Sequence, residues 1–151
     1  MFSFWGWIVL GIVTGVVFLF LLYRWLMKLA SRRVKKVEER FGKSNILLLD
    51  ERANCFGLES EGLSQIRGNG VLALTPGEVY FLMWLPKKEV RIPVSAITGV
   101  ETTRTHLGKS KGKLLLKVKF KNRMGEDDSA AWLVSDLQEW KQKLQKITDS
   151  V

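Results

Sequence analysis

The chain has 151 residues, with 24 lysines and arginines against 15 aspartates and glutamates, a net charge of +9 and a pI near 9.9. Its single cysteine, Cys55, and single histidine, His106, exclude an internal disulfide, a thiolate metal cluster and a histidine-rich metal site. In residues 24–43 eight basic side chains face only Glu38 and Glu39, so six of the nine net charges lie in one stretch; no basic stripe with interleaved aromatics is left to read as a nucleic-acid surface.

The first element is a membrane anchor, residues 1–27. Residues 2–23, FSFWGWIVLGIVTGVVFLFLLY, contain no charged side chain. About 22 helical residues at about 1.5 Å each reach about 33 Å, enough to cross a hydrocarbon core of about 30 Å. Trp5 and Trp7 near one end, and Tyr23 and Trp25 near the other, suit the headgroup layer because each ring joins an apolar body to a polar edge. All the flanking positive charge follows the run, and lysine and arginine concentrate on the cytoplasmic side of membrane helices. The expected arrangement is a single-pass protein of the plasma (inner) membrane, with the amino terminus outside and the carboxyl-terminal domain cytoplasmic. A secretory signal would carry its charge first and end on a small-x-small site; Lys28-Leu29-Ala30 puts a lysine where a small residue is needed, so a retained anchor is expected. Gly11 and Gly15 form a GxxxG pair, candidate helix-packing residues for self-association, although glycine is common in membrane helices in any case.

Residues 28–45 read as a basic juxtamembrane stalk. Phe20, Tyr23, Met27, Ala30, Val34, Val37 and Phe41 recur at three and four, which describes either a short helical seam or a continuous helix whose apolar side packs on its own domain. Lys28, Arg32, Arg33, Lys35 and Lys36 are candidate lipid-headgroup contacts, each worth about 1 kcal/mol beside an anionic surface, and the same charges serve as orientation determinants.

The sequence from 46 to 151 is expected to form one soluble domain. Gly42, Lys43, Ser44 and Asn45 break the helical pattern, and short apolar runs separated by glycine and proline turns then predict strands at 53–59, 70–75, 79–84, 89–92, 97–105, 113–122 and 129–134. In the sixth, Leu114, Leu116, Val118 and Phe120 alternate with Lys113, Leu115, Lys117, Lys119 and Lys121. Lys117, Lys119 and Lys121 are candidates for docking phosphates, or a solvated row that discourages edge pairing. After Ser135 the period changes: Leu137, Trp140, Leu144 and Ile147 mark an amphipathic helix, with Trp140 as the expected core plug and Ser135 and Gln138 at capping-box spacing.

Seven strands and one helix predict an all-β or α+β domain, a seven-stranded antiparallel, partly closed barrel capped by a carboxyl-terminal helix. The stretches GNGVLALTPGEVYFLMW (68–84), VRIPVSAITGVE (90–101) and LQEWKQKLQKI (137–147) make this order similar to the pleckstrin-homology-like superfold, in particular its GRAM-like and bacterial branches. The resemblance covers about two-thirds of the chain and implies a non-catalytic binding or scaffold module. Phosphoinositide-binding members place several basic residues at the first hairpin loop, whereas ESEGLSQIRG (59–68) offers two glutamates and only Arg67, which disfavours that specificity here.

No catalytic constellation is visible. Asp127 and Asp128 are adjacent and point to opposite faces of a strand or into a solvated turn, and Ser129 and Ser135 have no histidine nearby in sequence. Cys55 reads as a small buried hydrophobe and His106 as a strand-end or loop residue. The expectation is a protein that is not an enzyme and has no cofactor, acting through contacts with a membrane-associated protein partner and by homo-oligomerisation. The alternative is an anionic-lipid-binding module using the basic flank and the strand lysines.

Overall fold

A computed structural model describes residues 3–150; Met1 and Phe2 of the expected anchor, and Val151, lie outside the described residues. The chain divides into two compact units, Met1–Arg32 and Arg33–Val151. One helix, α1 (Phe4–Phe41), contributes to both.

In the first unit, α1 exposes its apolar side chains from Phe4 to Leu26, including Val9, Ile12, Val16, Phe18, Leu19 and Leu22, whereas Met27 and Leu29 are half-buried and Ala30 is buried. It is long and apolar enough to cross a membrane. Thr14, the one hydroxyl among residues 4–22, donates to the Leu10 carbonyl at 2.8 Å, so its hydroxyl proton is satisfied within the helix itself.

In the second unit, the last turns of α1 have a different role. Val34, Val37 and Phe41 pack with Val71, Ala73, Tyr80 and Leu82, and Val37 is fully buried. This is the self-packing alternative of the stalk pattern, realised by its final three apolar positions. Gly42 ends the helix at φ +76°, a left-handed conformation that costs glycine nothing, and its amide bonds the Glu38 carbonyl at 2.9 Å.

The chain then forms β1 (Leu48–Leu58), β2 (Gly68–Leu74), β3 (Glu78–Met83), β4 (Glu89–Pro93), β5 (Ile97–Thr103), β6 (Leu115–Lys121), β7 (Asp127–Leu133) and α2 (Leu137–Thr148). All sheet pairs are antiparallel, in the order β4-β3-β2-β1-β7-β6-β5. Strand β1 is the shared element. Its first part pairs with β2 and its last part with β7, with register shifts between Asp50 and Ala53 and between Cys55 and Gly57. Such shifts bend a strand and let it serve two neighbours in different directions.

The expected partly closed barrel is an open sheet. Strands β4 and β5 are its two ends and do not pair with each other, although only the Val94–Ala96 turn separates them in the chain. Helix α2 accounts for this: it packs on β5, β6 and that turn. Trp140 and Leu144 join Leu72, Phe81, Ile92, Leu116, Val118 and Trp132 in one core, so a helix supplies the apolar cover that hydrogen-bonded closure would otherwise give.

Two local expectations are also corrected. Leu114 was expected on the inner face of the sixth strand, but β6 begins at Leu115; Leu114 is exposed, and Leu115 is fully buried on the other face with Phe56 and Ala131. The sheet is covered on both faces there, which hides the period of two. The cap of α2 is Asp136, whose side chain accepts the Glu139 amide at 2.9 Å, and not Ser135. The helix starts one residue later than a Ser135 cap requires, and a carboxylate suits the positive end of the helix dipole.

Candidate functional site

The candidate residues fall into three groups. Gly11 and Gly15 lie on the exposed helix of the first unit, where an added Cβ would meet nothing within 4 Å. Lys28 and Arg32 are exposed in the same unit. In the second unit Lys35 and Lys36 are exposed and Arg33 is half-buried. The ammonium of Lys87, in the turn between β3 and β4, lies beside Lys36 and holds its pKa below the ordinary lysine range. Sequence position alone does not bring these two cations together.

Lys117, Lys119 and Lys121 are not a row of free cations. Lys117 sits 3.2 Å from Glu59 and 3.9 Å from Glu101, Lys119 is 2.9 Å from Glu101, and Lys121 is 2.8 Å from Asp127. Antiparallel pairing of β5 with β6 sets Glu101 opposite Lys117, and pairing of β6 with β7 sets Asp127 opposite Lys121, while Glu59 reaches Lys117 from the turn that follows β1. Glu59 is held below the usual carboxylate range by the neighbouring Ser129 hydroxyl and by the Lys117 ammonium at 3.2 Å. Solvent-exposed pairs of this kind contribute about 0–1 kcal/mol each, but they cancel the charge of the face.

The two singletons are structural. Cys55 is buried, and desolvation pushes its thiol up to about 11. His106 is buried in the segment between β5 and β6; its Nε2 lies 3.1 Å from the Gly57 carbonyl, which makes Nε2 the donor, and burial lowers its pKa. Lys109 of the same segment donates to the Gln65 carbonyl, and Arg67 donates to the Ser110 carbonyl at 3.3 Å while stacking over Phe56 of β1. These contacts tie the β5–β6 segment down beside β1.

A cleft of about 530 Å³ results, and sequence reasoning did not find it. Asp50, Arg52 and Asn54 of β1, Asn69 of β2, and Lys111, Lys113 and Leu114 of the β5–β6 segment line it, with Leu133, Val134, Ser135 and Leu137 behind. The Asp50 carboxylate is occupied: its oxygens accept the backbone amides of Arg52 at 2.9 Å and Ser135 at 2.6 Å. Arg52, Lys111 and Lys113 have no ion-pair partner among the described residues. Asn54 donates through Nδ2 to Asn69 Oδ1 at 2.6 Å, leaving its own buried Oδ1 without a partner. The only legible signal was the alternating lysine of GKSKGK (108–113), which reads equally well as a turn. No group of three or more histidine, cysteine, aspartate or glutamate side chains is placed to hold a metal among the described residues.

No protein-family profile and no curated protein matches the chain. Among solved structures, the chain is similar to a chain of the 8S snRNP assembly intermediate, with TM-score 0.51 and 8% identity over 72% of this chain and 82% of that one. It is also similar to the carboxyl-terminal domain of an unknown protein from Leishmania infantum, with TM-score 0.53 and 13% identity over 76% and 97%. At these identities the likeness is one of fold, and the class it defines with the structure is a seven-stranded antiparallel open sheet with a carboxyl-terminal helix, following a long apolar helix.

Proposed function

We propose that this chain is a single-pass protein of the plasma (inner) membrane, amino terminus outside, presenting a non-catalytic pleckstrin-homology-like, GRAM-like binding and scaffold domain at the cytoplasmic face. It acts through contacts with a membrane-associated protein partner and with itself, the spans meeting at Gly11 and Gly15. One observation carries the reading: the apolar surface of α1 up to Leu26 is exposed throughout, and a block of basic residues follows it immediately. Confinement to a thin layer raises the effective concentration of the domain against other membrane-bound proteins without lipid affinity of its own. Crosslinking of the full-length protein in native membranes, read by mass spectrometry, is expected to yield a reproducible adduct; recovery of monomer alone would sink the proposal.

A second reading, anionic-lipid binding by the flank, draws on the juxtaposition of Lys36 and Lys87. An anion between two ammonium groups relieves their repulsion. Full-length protein extracted with its native lipids would then co-purify with anionic lipid, and the combined substitution K36Q and K87Q would abolish the enrichment.

A further inference from the structure

The segment between β5 and β6, residues 104–114, is strained at one position and anchored there on β1. His106 and Lys109 exchange backbone hydrogen bonds at 3.0 and 2.9 Å around Leu107 and Gly108, whose φ angles are +51° and +69°. Such two-residue hairpin turns take asparagine, aspartate or glycine at the first position, because a left-handed φ is disfavoured for a side chain as large as leucine. Among the described residues Leu107 is the one non-glycine at positive φ. Its surroundings hold it there. Gly57, at the second register shift of β1, has φ +112°, and the notch left by its missing side chain is shared by Leu107 and Gln65; Leu107 Cδ1 lies 3.1 Å from the point that a Cβ on Gly57 would occupy. His106 docks on the same residue, its Nε2 donating to the Gly57 carbonyl at 3.1 Å. A strained residue kept in place by packing on one neighbour is a latch, since losing that neighbour releases the strain.

The latch lies beside an apolar cluster. Phe56, Leu115 and Ala131 are fully buried with Leu133 against them, separate from both the main core and the cluster under α1. The Arg67 guanidinium lies over the Phe56 ring and donates to the Ser110 carbonyl at 3.3 Å, so the side chain covering Phe56 is itself tied to the segment. His106, only 3% exposed, faces Lys117 of β6, Glu59 of the turn after β1 and Asp128 of β7. Both carboxylates are engaged elsewhere. Glu59 is 3.2 Å from Lys117, and Asp128 accepts the Ser60 amide at 3.0 Å, the Ser60 hydroxyl at 2.6 Å and the Ser129 amide at 2.8 Å. Burial outweighs them and lowers the imidazole pKa, whereas a ring released into water would regain its ordinary value near 6.5.

We infer that residues 104–114 form an acid-released strap: protonation of His106 frees the segment from Gly57 and uncovers Phe56 and Leu115, while the sheet and α2 stay folded. The Leu107 strain favours release, and the Arg67 contact leaves with Ser110. The inference goes beyond the scaffold reading and does not depend on the orientation of the span.

The test uses full-length protein in phosphatidylcholine nanodiscs at about pH 7.5 and about pH 5.5. Amide hydrogen exchange, corrected for intrinsic rates, is expected to show protection of residues 104–114 falling about three- to tenfold at the lower pH, with protection in β2 and β3 unchanged. Hydroxyl-radical footprinting is expected to oxidise Phe56 correspondingly more in acid, and Phe81 of the main core no more. His106→Gln keeps an amide donor for the Gly57 carbonyl but does not titrate, and should retain at the lower pH the strap protection it has at the higher. Leu107→Ala empties the notch and should lower strap protection at both pH values. Equal strap protection at the two pH values in the unsubstituted protein, a loss spread evenly over strap and sheet, a pH dependence kept in His106→Gln, or unaltered protection in Leu107→Ala would overturn the inference.

Discussion

The carboxylate of Asp50 accepts the backbone amide of Ser135 at 2.6 Å, joining the start of β1 to the residue just before the cap of α2 across 85 positions of sequence. Its other oxygen holds the Arg52 amide at 2.9 Å, inside the register shift of β1. Hydrogen bonds to a charged acceptor contribute about 1.5–3 kcal/mol, and removing the acceptor also strands two amides. Asp50→Ala is therefore expected to destabilise the domain by about 2–4 kcal/mol, and Asp136→Ala, which removes the cap of α2, by about 1 kcal/mol. Chemical denaturation of both variants checks the order; an Asp50 effect no larger than that of Asp136 would contradict it.

Glycine is required at some positions for space, not backbone freedom. A Cβ on Gly70 would run into the Leu82 carbonyl and lie 2.6 Å from the Phe81 ring, both fixed by the pairing of β2 with β3. Gly70→Ala is expected to cost about 1–3 kcal/mol through overpacking. Gly77→Ala meets nothing within 4 Å and should be neutral or mildly stabilising. Melting temperatures of the two variants, measured side by side, distinguish these outcomes.

Acidification should weaken the domain through His106. Burial holds the imidazole neutral in the fold and lowers its pKa, with Lys117 acting in the same direction and the hydrogen bond to the Gly57 carbonyl, Glu59 and Asp128 opposing. The unfolded chain binds a proton near pH 6.5, above the depressed folded value, so stability is full above about pH 6.5 and is lost as pH falls from there through the folded pKa. Glu59, whose pKa is lowered, adds a second loss at more acid pH, below about 4.5. Denaturation midpoints between neutral pH and about pH 5 should show the His106 slope, and His106→Gln should flatten it; an unchanged slope in that variant would reject the assignment.

Cys55 should be chemically silent in the folded protein. Its thiol is buried and raised to about 11, so the reactive thiolate is scarce at neutral pH. Alkylation by iodoacetamide is expected to be slow in native protein and rapid after denaturation, and the ratio of rates reports global opening. Fast labelling under native conditions would show that the environment of this strand is open.

How much of this was legible depends on the distance over which each feature is encoded. The seven strands, the terminal helix and the buried Trp140 follow from apolar spacing and turn residues, which act between near neighbours. The opening of β1 was missed because Asp50, Glu51 and Arg52 interrupt its apolar pattern, and the structure places a register shift there, with Asp50 buried by a contact to Ser135. A period of two assigns Leu115 outward because it assumes that one face is wet, whereas Phe56 and Ala131 bury Leu115 on the face of β6 opposite the main core.

The strand lysines and the cleft show the same division. A row of Lys117, Lys119 and Lys121 is visible in the chain, yet Glu59 lies 58 positions from its partner Lys117, and only the folded sheet brings the turn after β1 to 3.2 Å from it. Conversely, Arg52, Asn54, Asn69, Lys111 and Lys113 carry no shared motif and meet because β1, β2 and the β5–β6 segment lie side by side.

The amino-acid order by itself determined an apolar helix of membrane length, the basic block after it, and the succession of seven strands and a helix. It did so because hydrophobic period and turn chemistry are properties of residues within a few positions of one another. Tertiary structure alone decided that the sheet stays open under α2, which cations are neutralised and which have no carboxylate beside them. Those outcomes depend on which distant segment lies beside each side chain, a relation that neither period nor composition records.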